Sequence, residues 1–135
     1  MNLFDKNIAL LRDHDPALAR RVERAPLSIA GVTAKNGLPT LKYQSVYLHS
    51  AYDPESEAKK LVADFAEKAG VSTVVYGLGL GYHLAEILKS SREKIFVIEP
   101  LMSVFQAFLS SIDLQPFLPR TQFLIAEPAP KILTR

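Results

Sequence analysis

Apolar positions along the chain follow two spacings, and the order in which they occur predicts an α/β protein. Helical spacing occurs before residue 26, over residues 54–69, after the glycines at 77–81 and again over residues 100–112. Short apolar runs that are typical of buried strands occur at residues 73–76, 95–99 and 121–126. Strands that alternate with helices in this way predict a Rossmann-like βαβαβ half with a short parallel sheet.

The first 47 residues predict N-terminal helices and a β-hairpin in front of that unit. Asp15-Pro16 is typical of an N-cap followed by proline at the first helical position, and it separates two short helices. Asn36-Gly37 lies between the apolar run of Leu27, Ile29 and Val32 and that of Leu41, Tyr43 and Val46, and it predicts a type I′ turn. We expect a single domain with three parts: a helical part at 1–25, a hairpin at 27–47 and an α/β core at 53–126.

The helix predicted over residues 54–69 has the most regular pattern in the chain. Asp53-Pro54 begins it, and Gly70 is expected to end it as a left-handed cap. Its predicted apolar face consists of Ala58, Leu61, Val62, Phe65, Ala66 and Ala69. We expect this face, with Phe65 at its middle, to pack on the parallel sheet. A later helix is expected to begin at Pro100 and to turn Leu101 inward.

Three alternating glycines form the stretch that bears on function. Gly77, Gly79 and Gly81 follow the first parallel strand, and a helix begins directly after them. Glycine allows a tight turn and a close ligand, while the first N–H groups of the helix favour an anion. Glu99 ends the next strand 22 positions after Gly77, the spacing at which an acid meets a ribose hydroxyl. The predicted cofactor-binding residues are therefore Gly77, Gly79, Gly81, Tyr82, His83 and Glu99.

The glycine spacing leaves the ligand open between two cofactor classes. A dinucleotide fingerprint would place its third glycine at position 82, where this chain has Tyr82. A methyltransferase-like motif fits the three glycines but would have a carboxylate at position 75, where Val75 stands. No nucleophile, general base or paired acids accompany the glycines, so the sequence identifies no catalytic residue and no cofactor. His49, Tyr52 and Asp53 are interpreted as a structural corner.

Composition narrows the function classes further. The chain has 135 residues, a net charge of +2 and no cysteine, which excludes disulfides and thiolate metal sites. The small charge and the absence of basic clusters argue against nucleic acid, and we expect no metal site and no membrane span. We expect a cytoplasmic protein. A doubly wound sheet carries a second half after its third strand, so we expect the chain to be part of a longer protein.

Four segments together resemble the N-terminal domain of the motility accessory factor family, bacterial glycosyltransferases linked to flagellin modification. These segments are residues 36–42 (NGLPTLK), 48–54 (LHSAYDP), 75–83 (VYGLGLGYH) and 98–100 (IEP). The resemblance implies a non-catalytic accessory domain, because that family assigns transfer of nucleotide-activated nonulosonic sugars to a following domain. The implied partners are the rest of the parent glycosyltransferase and flagellin. A nucleotide- or nucleotide-sugar-binding domain and a methyltransferase-like enzyme are the alternatives.

Overall fold

The computed structural model describes residues 2–26, 31–63 and 72–127. Its helices are α1 (Leu3–His14), α2 (Pro16–Arg24), α3 (Pro54–Leu61), α4 (Tyr82–Ser90) and α5 (Met102–Ser111), with a 3-10 turn at Gln115–Phe117. Its strands are β1 (Gly31–Thr33), β2 (Pro39–Tyr43), β3 (Val46–Tyr47), β4 (Thr73–Tyr76), β5 (Ile95–Glu99) and β6 (Thr121–Ile125). The mixed α/β class and the order of elements predicted from the sequence are confirmed.

The three parallel strands form a sheet in the order β4-β5-β6, with β5 in the middle. Val75 is paired in register with Val97, which in turn is paired with Phe123. The carboxyl ends of the strands therefore lie along one edge, which is where parallel α/β sheets bind ligands. The third strand ends at Ile125, one residue earlier than predicted, because Ala126 adopts a φ of 52° that breaks the extended backbone.

One face of this sheet carries the hydrophobic core. The rings of Phe105 and Phe108, on α5, lie 5.3 Å and 6.1 Å from the ring of Phe123. Leu11 of α1 and Leu41 of β2 belong to the same buried cluster. The N-terminal helices, the antiparallel strands and the parallel sheet therefore share one core.

Two buried polar side chains fix the helices around that core. The amide of Asn7 donates to Leu109 O and Ile112 O at 2.8 Å and 2.7 Å, and it accepts from Leu114 N at 3.0 Å. The Asn7 side chain thus satisfies the end of α5, whose last carbonyls have no partner inside the helix. Gln106 donates to Val22 O and Ala25 O in the same way at the end of α2.

The antiparallel part differs from the predicted hairpin in the position of its tightest turn. The apolar run of Leu41, Tyr43 and Val46 is divided between two strands, because Gln44 and Ser45 have φ values of 49° and 67° and separate β2 from β3. Positive φ at both central residues is the property of a type I′ turn. At Asn36-Gly37 only Gly37 has positive φ, and Gly37 N donates to Ala34 O within a longer loop. The result is a three-stranded sheet in the order β1-β2-β3.

Two helix predictions also need correction. Leu61 is 72% exposed although the pattern placed it on the buried face of the helix, whereas Ala58 on the same helix is buried. The last helix begins at Met102, and Leu101 precedes it as the N-cap with 38% exposure. Phe65, Gly70, the predicted helix beyond residue 63 and the start of the hairpin at 27–30 lie outside the described residues.

Candidate functional site

The glycine loop connects β4 to α4 at the carboxyl edge of the parallel sheet. Gly77, Gly79 and Gly81 have φ values of 92°, 56° and 80°, which place all three in the region that L side chains rarely adopt. The loop therefore depends on glycine at each of these positions, as the sequence pattern predicted. Gly81 is also the N-cap of α4 and supplies no side chain to the first N–H groups of that helix.

Glu99 binds the glycine loop from the end of β5. Its side chain is 5% exposed, and its Oε1 accepts from Leu78 N at 2.8 Å and from Gly79 N at a longer 3.4 Å. Its Oε2 accepts from Leu101 N at 3.1 Å. Hydrogen bonds to an ionised carboxylate are among the stronger ones in proteins. Both carboxylate oxygens therefore hold backbone in place at the carboxyl edge.

His49 binds the same loop from the segment between β3 and α3. Its ring is 7% exposed, and Nε2 accepts from Leu80 N at 2.7 Å. The imidazole lies so close to Gly79 that a Cβ at that position would collide with it. In a nucleotide-binding turn this close approach to a glycine is made by the ligand. Here the chain's own imidazole occupies that place.

The five N–H groups of the loop are all used inside the chain. Gly77 N donates to Ile98 O at 2.7 Å, and Gly81 N donates to Leu78 O at 2.9 Å. The three N–H groups between them donate to Glu99 and His49. The loop is therefore closed by internal hydrogen bonds.

The chemical state of His49 follows from its surroundings. Burial, with a smaller contribution from the neighbouring His83, lowers the pKa of His49 from 6.5 to about 4. The ring is neutral at pH 7, and Nε2 must carry the lone pair because it accepts from a backbone N–H. The proton is therefore on Nδ1, which has no hydrogen-bond partner among the described residues.

The first two residues of α4 fasten that helix to its surroundings. Tyr82 donates its hydroxyl to Pro39 O at 2.5 Å, which links α4 to β2. Burial, and to a lesser extent the carboxylate of Glu55, raises the pKa of Tyr82 to about 12. His83 Nε2 donates to Gly77 O at 2.7 Å, since a carbonyl can only accept. The ring centroids of His49 and His83 lie 6.2 Å apart.

A cleft of about 460 Å³ opens beside the loop at the carboxyl edge. Its polar lining comes from His49, Glu57, Tyr76, His83 and Glu99, and leucines complete its walls. A second cavity of about 470 Å³ lies at the amino ends of β5 and β6, and Lys94 and Thr121 line it. Since ligands of parallel sheets bind at the carboxyl ends, the first cleft is the candidate site.

The structure brings most of the predicted site residues together. Gly77, Gly79, His83 and Glu99 line the cleft, whereas Tyr82 is bonded to the antiparallel part and Gly81 packs against Phe108.

Sequence reasoning missed His49, which was interpreted as part of a corner, and it did not single out Glu57. The sequence offered one signal for His49. His49 lies in the same short segment as Asp53, the residue that caps α3, and this segment also contains the other corner residues.

Among the described residues, no group of three or more His, Cys, Asp or Glu side chains is arranged to hold a metal ion. None of the helices in the described ranges has the length and apolar character that a membrane crossing needs.

The fold and the loop define a Rossmann-like domain whose glycine turn is bound by its own side chains. The family model described as "Glycosyltransferase Maf N-terminal domain" matches residues 42–123. The chain is 35% identical over 145 residues to an uncharacterized protein of Treponema pallidum (strain Nichols), covering 96% of this chain and 49% of the relative. The chain thus spans about half the length of the curated relative that it matches.

A solved structure shares the fold. The Maf glycosyltransferase from Magnetospirillum magneticum AMB-1 matches with a TM-score of 0.77 and 17% identity, over 98% of this chain and 28% of that one. The chain belongs to the Maf glycosyltransferase N-terminal domain family. The family resemblance inferred from the sequence motifs is confirmed.

The contact between His49 and the loop predicts unequal effects for two glycine substitutions. Gly79→Ala forces a left-handed alanine and displaces the imidazole, so we expect it to lower the free energy of unfolding by about 3 kcal/mol. Gly77→Ala meets no atom within 4 Å and serves as the matched control, with backbone strain of about 1–2 kcal/mol. Urea denaturation measures both, and equal costs would contradict the described contact.

The lowered pKa of His49 predicts a pH dependence of stability. The unfolded chain binds a proton at His49 near pH 6.5 and the folded chain only near pH 4, so stability falls as the pH drops between these values. The loss attributable to His49 reaches at most about 3 kcal/mol. His49→Gln keeps an acceptor for Leu80 N and does not titrate, so it should flatten the profile, while exposed His14→Gln should not. A His49→Gln profile identical to the parent's would refute the assignment.

Proposed function

We propose that this chain is the non-catalytic N-terminal accessory domain of a glycosyltransferase that modifies flagellin in the cytoplasm. Family membership supports the class of the parent protein. The flagellin acceptor and the nucleotide-activated nonulosonic donor are what the motif resemblance implies. In this proposal the domain positions the transferase or its acceptor, and the transfer itself takes place in a following domain.

The observation that carries this proposal is the internal closure of the glycine loop. A phosphate held by such a loop needs free N–H groups, but the groups from Gly77 to Gly81 already have partners. An incoming phosphate would also meet the carboxylate of Glu99, and like charges in a partly buried site repel. Freeing one N–H from that carboxylate costs about 1.5–3 kcal/mol. These costs favour a scaffold over a donor-binding site.

The imidazole nearest the loop is also poorly suited to proton transfer. His49 has a pKa of about 4, which makes its ring a weak base at pH 7. Its Nε2 is already occupied by Leu80 N–H. The methyltransferase-like alternative has no support at position 75, because Val75 is buried where a carboxylate would be expected.

The accessory role predicts that removing the domain from the parent protein affects two activities differently, namely hydrolysis of the sugar nucleotide and glycosylation of flagellin. The parent without residues equivalent to this chain should still consume the sugar nucleotide by hydrolysis, but should glycosylate flagellin far more slowly. The isolated chain should transfer no sugar to flagellin above an enzyme-free blank. Mass spectrometry of flagellin and chromatography of the nucleotide product measure the two activities. Transfer by the isolated chain would overturn the proposal.

Nucleotide or nucleotide-sugar binding at the cleft is the second candidate function. It is favoured by the uncapped first turn of α4, which leaves the N–H groups of Tyr82 and His83 next to the loop. In this candidate Gly77, Gly79 and Gly81 line the phosphates and Glu99 turns to the ribose. It requires Glu99 to exchange its backbone partners for ribose hydroxyls.

Glu99→Gln separates the two candidates, because an amide nitrogen cannot accept from a backbone N–H. Under the scaffold proposal the variant should unfold about 1.5–3 kcal/mol more easily, and the parent chain should bind no nucleotide at millimolar concentration. Under nucleotide binding, the parent should be stabilised by nucleotide in a thermal-shift assay, and the variant should bind about tenfold more weakly. Asp13→Asn, which changes an exposed acid of α1 outside the cleft, is the control.

A further inference from the structure

The cleft at the carboxyl edge is acidic, and this limits the charge of what it can bind. Glu57 and Glu99 contribute carboxylates to its lining, and none of the described residues that line it is a lysine or an arginine. Glu57 Oε1 accepts from Ser50 N at 2.9 Å, while its Oε2 has no partner among the described residues. A phosphate or carboxylate ligand would find no countercharge here. The cleft therefore disfavours an anionic ligand.

The hydrogen-bonding groups of the cleft are suited to hydroxyls. His49 has its proton on Nδ1 and can donate, as its contact with Leu80 N establishes. His83 donates through Nε2 to Gly77 O, so its Nδ1 accepts when the ring is neutral. Glu57 adds a carboxylate oxygen that only accepts. A hydroxyl both donates and accepts, so neighbouring hydroxyls on one ligand can satisfy all three groups.

The apolar groups of the cleft are unusually exposed. Tyr76 is 74% exposed and Leu61 is 72% exposed, and both line the same cleft. Leu101, at 38% exposure, lines it as well. Large apolar side chains that converge on one cavity in this way mark a binding surface rather than random exposure. The aromatic face of Tyr76 offers a platform on which a ring can stack.

From these three features we infer that the cleft binds an uncharged sugar ring, free or at the end of a glycan. The C–H face of the ring packs on Tyr76 and the leucines, and its hydroxyls bond to Glu57, His49 and His83. A volume of about 460 Å³ accommodates a pyranose with its substituents. The bound ring leaves the hydrogen bonds between Glu99 and the loop in place, so loop closure and sugar binding are compatible.

Ligand-observed saturation-transfer NMR on the chain tests this inference. The probes are methyl glucoside and methyl N-acetylglucosaminide as uncharged sugars, glucuronate as the same ring with a charge, and uracil as a flat ring that carries no sugar. At about 10 mM ligand we expect saturation transfer to an uncharged sugar and binding of glucuronate that is about tenfold weaker or undetectable. Uracil should give no more than a trace. If neither uncharged sugar receives saturation, or if glucuronate or uracil binds as well as the uncharged sugars, the inference is overturned.

Variants locate the binding in the cleft. Tyr76→Ala removes an exposed ring, so it should leave the melting temperature nearly unchanged and weaken sugar binding about tenfold. Glu57→Gln retains an acceptor for Ser50 N and should also weaken binding. Tyr47→Ala removes an exposed tyrosine of β3 outside the cleft and should have no effect. Sugar binding that survives Tyr76→Ala unchanged would place the ligand elsewhere and refute the inference.

This binding test is separate from the test of the accessory role. Sugar binding is measured on the chain alone, whereas the accessory role is measured as flagellin modification by the parent protein. A chain that binds no sugar can still be an accessory domain, and a domain that fails to support flagellin modification can still bind a sugar.

Discussion

The structure depends on two side chains that take the place of a ligand over the glycine loop. Together, Glu99 and His49 accept hydrogen bonds from the N–H groups of Leu78, Gly79 and Leu80. A buried backbone donor that lacks a partner costs about 1–3 kcal/mol, so the tight turn between β4 and α4 needs these acceptors. The three glycines thus permit the turn sterically, and the two side chains stabilise it electrostatically.

The contact of His49 also joins separate parts of the chain. His49 comes from the connection between the antiparallel strands and α3, and it reaches a loop that lies 31 positions later in the sequence. Tyr82 makes a second link, from α4 back to β2. Because these bonds cross between the antiparallel part and the parallel sheet, they fix the wall of the cleft as well as the loop. A motif that resembles a nucleotide turn can therefore serve as a structural joint, which is consistent with an accessory domain.

Much of the fold could be predicted because local patterns determine it. The runs at β4, β5 and β6, the Asp-Pro starts of α2 and α3, and the glycine turn all follow from residues close together in sequence. Where the prediction was wrong, tertiary contacts prevailed over local pattern. Gln44 and Ser45 form the tight turn although neither is glycine, and Leu61 borders the cleft although its spacing fitted a buried face.

The candidate site was likewise predictable only in part. The sequence alone determined that Gly77, Gly79, Gly81 and Glu99 meet at the carboxyl edge of a parallel sheet, since strand order and spacing require it. Only the tertiary structure decided that Glu99 faces the loop with both oxygens and that His49 fills the space above Gly79. The physical reason is that a carboxylate or an imidazole bonds whichever donor the folded chain presents, and that choice depends on contacts between residues far apart in sequence.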